Sequence, residues 1–281
     1  MLIEDRERLI SALGGVAKIA GMDHEARADA LEDYRSAQLD AAVAARLAGA
    51  PTVAEIAAKT PTRTYRRGVG NLFLPGRGGS NLVGEPTEKT VRQLVRMPEQ
   101  PMLADFFKLR FAPGAHLLQS ARLAQRNGAS EDVVLACLLH DIANFMLKCD
   151  HGYWGAQIIE PYVSEKVAFA VRYHQALRFF PDPAVNYEYP ETYFLIFGVD
   201  YVSPPHIQAA YDYARNHKWY MEARLVTLND LYAFDENVTV SIDEFEDVIG
   251  RNFRQPSEGL GYDNSPVAHM WRALINPDAP L

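Results

Sequence analysis

Two segments of helical periodicity, each doubled back by a turn, carry histidines at matched distances from that turn, and this spacing constrains the fold more than any other feature of the chain. The first is AHLLQSARLAQ, the turn NGAS, and EDVVLACLLHDIANFML, read as two helices. From His116 to Asn127 is 11 residues and from Ser130 to His140 is 10. At about 1.5 Å of rise per residue the arms match, so both rings reach the same end of the hairpin. The second runs 10 residues from His151 to Pro161, turns through EPYVS, and returns 10 residues from Ser164 to His174. Ser130 and Ser164 are the expected N-caps of the returning helices.

These histidines fall on apolar stripes. His140 shares its face with Val133, Ala136, Cys137 and Ala143, and His174 shares its face with Val167, Ala170, Val171 and Leu177. An imidazole placed there has to be satisfied by a partner. Asp141 follows His140 about 100° further round the helix, where one carboxylate can address two neighbouring ions. Asp230 lies among Val226, Ala233 and Phe234 at offsets of three and four, with Asp200 and Asp235 as rivals for its role. Imidazoles and carboxylates together suit iron, manganese, zinc or a mixed pair. His24, His206, His217 and His269 are read as ordinary surface or hydrogen-bonded residues, and the acidic side chains of the N-terminal helices as solvated.

Residues 2 to 58 alternate apolar and charged residues at helical spacing, broken near Gly21 and Pro51, which predicts two longer helices and a short third. Between Pro61 and Pro101 the composition shifts to Gly, Pro, Arg and Asn, predicting a long loop with one short helix around TVRQLVRM. Its GRGGS lacks the GK[ST] ending of a phosphate-cradling loop. After His174 a proline-rich connection, PDPAVNYEYPET, precedes helices in PPHIQAAYDYARN, WYMEARLVTLNDLYAF and SIDEFEDVIGRNF, the last with Ser241 and Glu244 as a capping box. No period-two alternation persists long enough to require a sheet, so the expected class is all-α.

Apolar residues make up 48% of the chain, enough for a sizeable core, and the net charge of −8 disfavours nucleic acid as a partner. A small-molecule substrate is the better expectation. Cys137 and Cys149 lack CxxC spacing, which points to a reducing compartment rather than a disulfide framework. With an acidic N-terminus and no run of about 18 apolar residues, a cytoplasmic protein with no membrane partner is expected.

The order His116, His140 with Asp141, His151, His174 and Asp230 resembles the HD-domain superfamily of metal-dependent enzymes over about residues 106 to 253. The stretches HLLQSARLAQRNGA, LACLLHDIANFM, HGYWGAQIIEPYVS, VRYHQALRFF and EARLVTLNDLYAFD look most like the mixed-valent di-iron oxygenase branch, which includes phosphonate-cleaving enzymes and is related to inositol oxygenase. The resemblance implies an HD-domain helical bundle over residues 101–281 with an N-terminal helical extension and Gly/Pro-rich loop over 1–100. It selects those six residues as ligands of two metal ions, iron first and manganese, zinc or magnesium as alternatives, with dioxygen as co-substrate. It also keeps a basic residue one turn after the fourth histidine, Arg178, which with Lys148 and Asn144 would orient a small hydroxylated or anionic substrate. No catalytic side chain is identified.

Three departures argue against a phosphonate substrate. Phe106 and Leu109 stand where phosphonate-cleaving members carry a tyrosine and a glutamate, Thr227 replaces an arginine, and LIFGVDYVSPP replaces a glycine-rich serine segment. The preferred reading is an iron-dependent oxygenase; the alternatives are a metal-dependent phosphohydrolase using the same ligands and a non-catalytic HD scaffold. The first 100 residues are expected either to cap the pocket or to mediate homo-oligomer formation.

Overall fold

The computed structural model describes residues 3–46, 62–66, 82–83, 90–111, 114–145, 150–198 and 200–276. Helices α1 (Ile3–Ala12), α2 (Val16–Ala20) and α3 (His24–Arg46) come first. The chain breaks between α1 and α2 at Gly14 and Gly15, whose φ of 89° and 90° favour glycine. Asp23 starts α3 by accepting from Ala26 N at 2.8 Å. The expected boundary near Pro51 and the GRGGS segment lie outside the described residues, as does Cys149.

Strands β1 (Thr62–Arg66), β2 (Leu82–Val83) and β3 (Thr90–Val95) form an antiparallel sheet in the order β1-β3-β2, with Thr62 opposite Val95 and Leu82 opposite Leu94. The helix expected around TVRQLVRM is therefore a strand. Val91, Leu94 and Val95 have helical spacing, but the segment is too short to hold a helix alone and its β-branched residues suit a paired strand. This small sheet is the exception to the all-α expectation, and the other named elements of the described residues are helices.

The main core is built from α4 (Leu103–Leu109), α5 (Ala115–Arg126), α6 (Glu131–Leu139), α7 (His151–Ile159), α8 (Glu165–Leu177), α11 (Tyr220–Leu231), α12 (Glu246–Asn252) and α13 (Ala268–Ile275), with α9 (Glu191–Phe197) and α10 (Pro205–Arg215) at its side. Helices α5 with α6, and α7 with α8, are the two hairpins expected from the histidine spacing. Their N-caps are as expected: Ser130 Oγ accepts from Val133 N and Ser164 Oγ from Val167 N. Helix α6 ends at Leu139 rather than continuing through Ile142; Asn144 N bonds to Asp141 O at 3.0 Å and the chain tightens into a 3₁₀ turn over Ile142–Phe145. The apolar run continues across this break, so periodicity alone hides it.

Phe106 is fully buried edge-on to Trp271, with ring centroids 4.8 Å apart, and belongs to the core. The capping box at Ser241 forms as expected, on a 3₁₀ turn (Ile242–Phe245) that leads into α12. A second apolar cluster joins Leu9, Leu13, Ala28 and Leu31 of the N-terminal helices to Ala176, Phe179, Phe197 and Ile207. Helix α3 is thereby held against the C-terminal end of α8, where the hairpin histidines emerge.

Candidate metal centre

Local structure sets all six expected side chains at one end of the bundle. His116 is in the first turn of α5, His140 caps the C-terminus of α6, His151 opens α7, and His174 and Asp230 are in the last turns of α8 and α11. The rings of His116 and His140 lie 5.2 Å apart, those of His140 and His174 5.0 Å, and those of His151 and His174 5.4 Å. Asp150, just before His151, has a φ of 49°, a left-handed conformation rarely adopted by non-glycine residues and enriched at functional sites.

Three of the four rings are fixed in the same way. His116 Nδ1 faces Ala233 O at 3.2 Å, His140 Nδ1 faces Cys137 O at 2.7 Å, and His174 Nδ1 faces Val171 O at 2.6 Å. A carbonyl oxygen only accepts, so each Nδ1 carries a hydrogen and Nε2 is the nitrogen that offers a lone pair whenever the ring is neutral. Those Nε2 atoms converge on carboxylates: His116 Nε2 lies 2.9 Å from Asp230 Oδ1, while His151 Nε2 and His174 Nε2 lie 3.2 and 3.4 Å from Asp141 Oδ1. His140 Nε2 sits between, 3.7 Å from Asp141 Oδ1 and 3.8 Å from Asp230 Oδ1, buried and without a hydrogen-bond partner. Asp141 thus stands between several rings, as its place beside His140 suggested.

Two groups of ligand atoms could each hold an ion: His116, His140 and Asp230, and His140, Asp141 and His174, each with its atoms within 4.8 Å of one another. An orphaned Nε2 flanked by carboxylates fits a metal of the kind imidazole and carboxylate prefer. Burial pushes His140 down to about 4, which keeps the ring neutral. Burial also works against charge on His116 and His151, but Asp230 and Asp141 respectively outweigh it and hold them above the usual histidine range. Burial likewise opposes ionisation of Asp141 and Asp230, and the neighbouring histidines overcome it.

Residues 114–185 match the HD domain family. That stretch is similar to an HD domain. It contains five of the six candidate ligands, His116 through His174, with Asp230 further along the chain. An HD domain implies divalent metal binding. The chain is also similar to the [1-hydroxy-2-(trimethylamino)ethyl]phosphonate dioxygenase (glycine-betaine-forming) of Leisingera caerulea, at 34% identity over 74 residues. The match covers 22% of this chain and 38% of that relative. No helix among the described residues is long and apolar enough to cross a membrane.

The rivals for Asp230 lie elsewhere. Asp235 is exposed and accepts from Asn237 N in a turn, and Asp200 is exposed. His217 stacks on Phe169, and His206 and His269 are on the surface, as read from the sequence. Lys148 lies outside the described residues. Asn144 and Arg178 are at the centre, but both are engaged: Asn144 Nδ2 donates to Glu32 Oε1 at 3.0 Å, and Arg178 donates to Glu32 Oε2 and Asp29 Oδ1, both at 3.2 Å.

Those carboxylates belong to α3, whose acids were expected to be solvated. Asp29 and Glu32 instead turn inward, and Asp40, further along, is pushed up to about 7 by burial, against the pull of His116. The spacing marks them as a stripe without saying which way that stripe faces. Asp29, Glu32, Ser36 and Asp40 repeat at three, four and four residues, a polar stripe beside the apolar Ala28, Leu31 and Leu39. Next to the histidines, α3 and α11 frame a narrow, partly open pocket lined among others by Arg35, Arg178, Tyr193, Thr227, Asp230 and Phe234. The Arg35 guanidinium lies 4.6 Å over the Phe234 ring, which stacks on His116.

Proposed function

We propose that His116, His140, Asp141, His151, His174 and Asp230 hold two metal ions, iron in the working protein, and that the chain is an oxygenase acting on a small hydroxylated or anionic molecule. The observation that carries this reading is the set of imidazoles whose Nδ1 hydrogens are tied to main-chain carbonyls while their Nε2 atoms converge on Asp141 and Asp230. Such tying is what orients histidine ligands and fixes their tautomer. Similarity to a dioxygenase over 22% of the chain favours oxygen chemistry over hydrolysis.

A bound iron pair supplies Lewis acidity and the redox capacity to use dioxygen. The protein's part is positional. Asp141 lies between rings from three helices and would be shared by both ions. Thr227, where an arginine was noted as missing, donates from Oγ1 to His174 O at 2.9 Å and holds the end of α8 against α11. Arg35 is the lining cation not taken up by Asp29 and Glu32 and could meet an anionic group, while Leu31 and Phe234 are apolar parts of the same lining.

Anaerobic purification followed by partial oxidation tests this. A half-integer-spin signal from a coupled iron pair, with oxygen uptake on adding small hydroxy acids or hydroxyalkyl anions, is the expected result. Turnover of phosphate esters with magnesium or manganese and no oxygen uptake would replace it with the phosphohydrolase reading.

A further inference from the structure

The N-terminal helix brings a carboxylate that no HD-domain residue accounts for. One oxygen of Glu32 lies with ligand atoms of Asp141 and His151 so that all are within 4.8 Å of one another, forming a third group able to hold an ion. Glu32 is 84 residues before His116 and outside the matched domain. It is nonetheless aimed. Asn144 fixes Oε1, Arg178 fixes Oε2, and Leu31 beside it anchors α3 in the second apolar cluster.

This arrangement concentrates negative charge. Asp29, Glu32, Asp141 and Asp230 crowd one buried region, and Arg178 is shared between the first two. Two carboxylates facing each other out of water need a proton or a cation between them. Here the flanking groups on the Asp141 side are His151 and His174, whose Nε2 atoms are 3.2 and 3.4 Å from Asp141 Oδ1. That donor set suits a divalent ion of the iron, manganese or zinc type.

We propose that Glu32 is a metal ligand, completing from outside the HD domain the ion bound by Asp141 and His151. This rests on the two-metal reading above. Asn144 and Arg178 then act as positioning residues for Glu32 rather than as direct substrate contacts. Helix α3 becomes part of the metal centre.

The test is Glu32→Gln. Glutamine keeps the shape of the side chain and can donate to Asp141, so if Glu32 merely shares a proton with Asp141 the variant should fold and bind iron as the parent does. If Glu32 is a ligand, anaerobic titration of the full chain with Fe(II) against a chelator will show one ion held as before and the other weakened on the order of a hundredfold, at least the loss typical of residues one step removed from a metal. The coupled-pair signal will be lost or shifted while the circular dichroism is unchanged. Asp29→Asn, which alters the neighbouring Arg178 partner, will keep both ions. Two ions of parental affinity and an unchanged signal in Glu32→Gln overturn the proposal. A parent chain that binds fewer than two ions overturns the two-metal reading itself, a result visible without the variant.

Discussion

A buried imidazole with one nitrogen fixed by a carbonyl and the other facing a carboxylate has its tautomer chosen before a ligand arrives, and protons are then the ion's main competitors. His116 and His151 are held above the usual histidine range by Asp230 and Asp141, so the metal-free centre keeps protons on them to higher pH than free imidazoles would, and metal binding must release those protons. Raising pH from 6 to 8 should therefore strengthen Fe(II) binding, measured by chelator competition. A histidine raised in the folded state contributes stability below about 6.5 that is lost as pH rises through its folded value. The melting temperature of metal-free protein should thus fall over this range and the gap to the loaded protein widen; a gap that narrows would contradict the assignment of these rings. The four histidines were legible in the sequence because two turns made their distances countable and Asp141 because it follows His140, whereas Asp230 was set apart from Asp200 and Asp235 by the family resemblance alone. Asp29 and Glu32 were not, because an acidic stripe on a helix has the same pattern whether it meets water or a buried cation.

Among the helices, the approach of α7 to α8 sets the geometry. A Cβ on Gly152 would meet Val171 O at 3.0 Å, Arg172 O at 3.1 Å and His174 Cε1 at 3.4 Å, contacts that are mostly backbone and slow to yield. Gly152→Ala should push α7 outward by a few tenths of an ångström, carrying His151 with it. We expect iron affinity to fall about tenfold or more, with a loss of stability of about 1–2 kcal/mol. Gly250→Ala is the control, since nothing lies within 4 Å of its Cβ. In mid-helix it should add about 0.5–1 kcal/mol without touching the metal. Ser164→Ala removes the N-cap of α8 and should cost about 1 kcal/mol in urea denaturation, with metal affinity nearly unchanged because His174 is held at the other end of α8 by Thr227. Caps of this kind were readable from single residues. The end of α6 at Leu139 and the strand at Thr90–Val95 were not, since a 3₁₀ turn and a paired strand depend on what packs against them.

For the whole molecule, the reading places catalytic support in two separate parts of the chain: the HD domain, which carries the hairpins, and α3, which lies across their open end. The sequence divided these into an extension and a core because composition changes between them. It could not show that the second apolar cluster folds α3 back onto α8 and α9. Metal stoichiometry in anaerobically purified chain reconstituted with Fe(II), measured for the parent and for Asp141→Ala, tests the two-metal centre most directly. Two ions per chain are expected in the parent and at most one when the Asp141 carboxylate is removed, with helical content retained. A parent without bound iron, or an Asp141→Ala chain that keeps both ions, would contradict it.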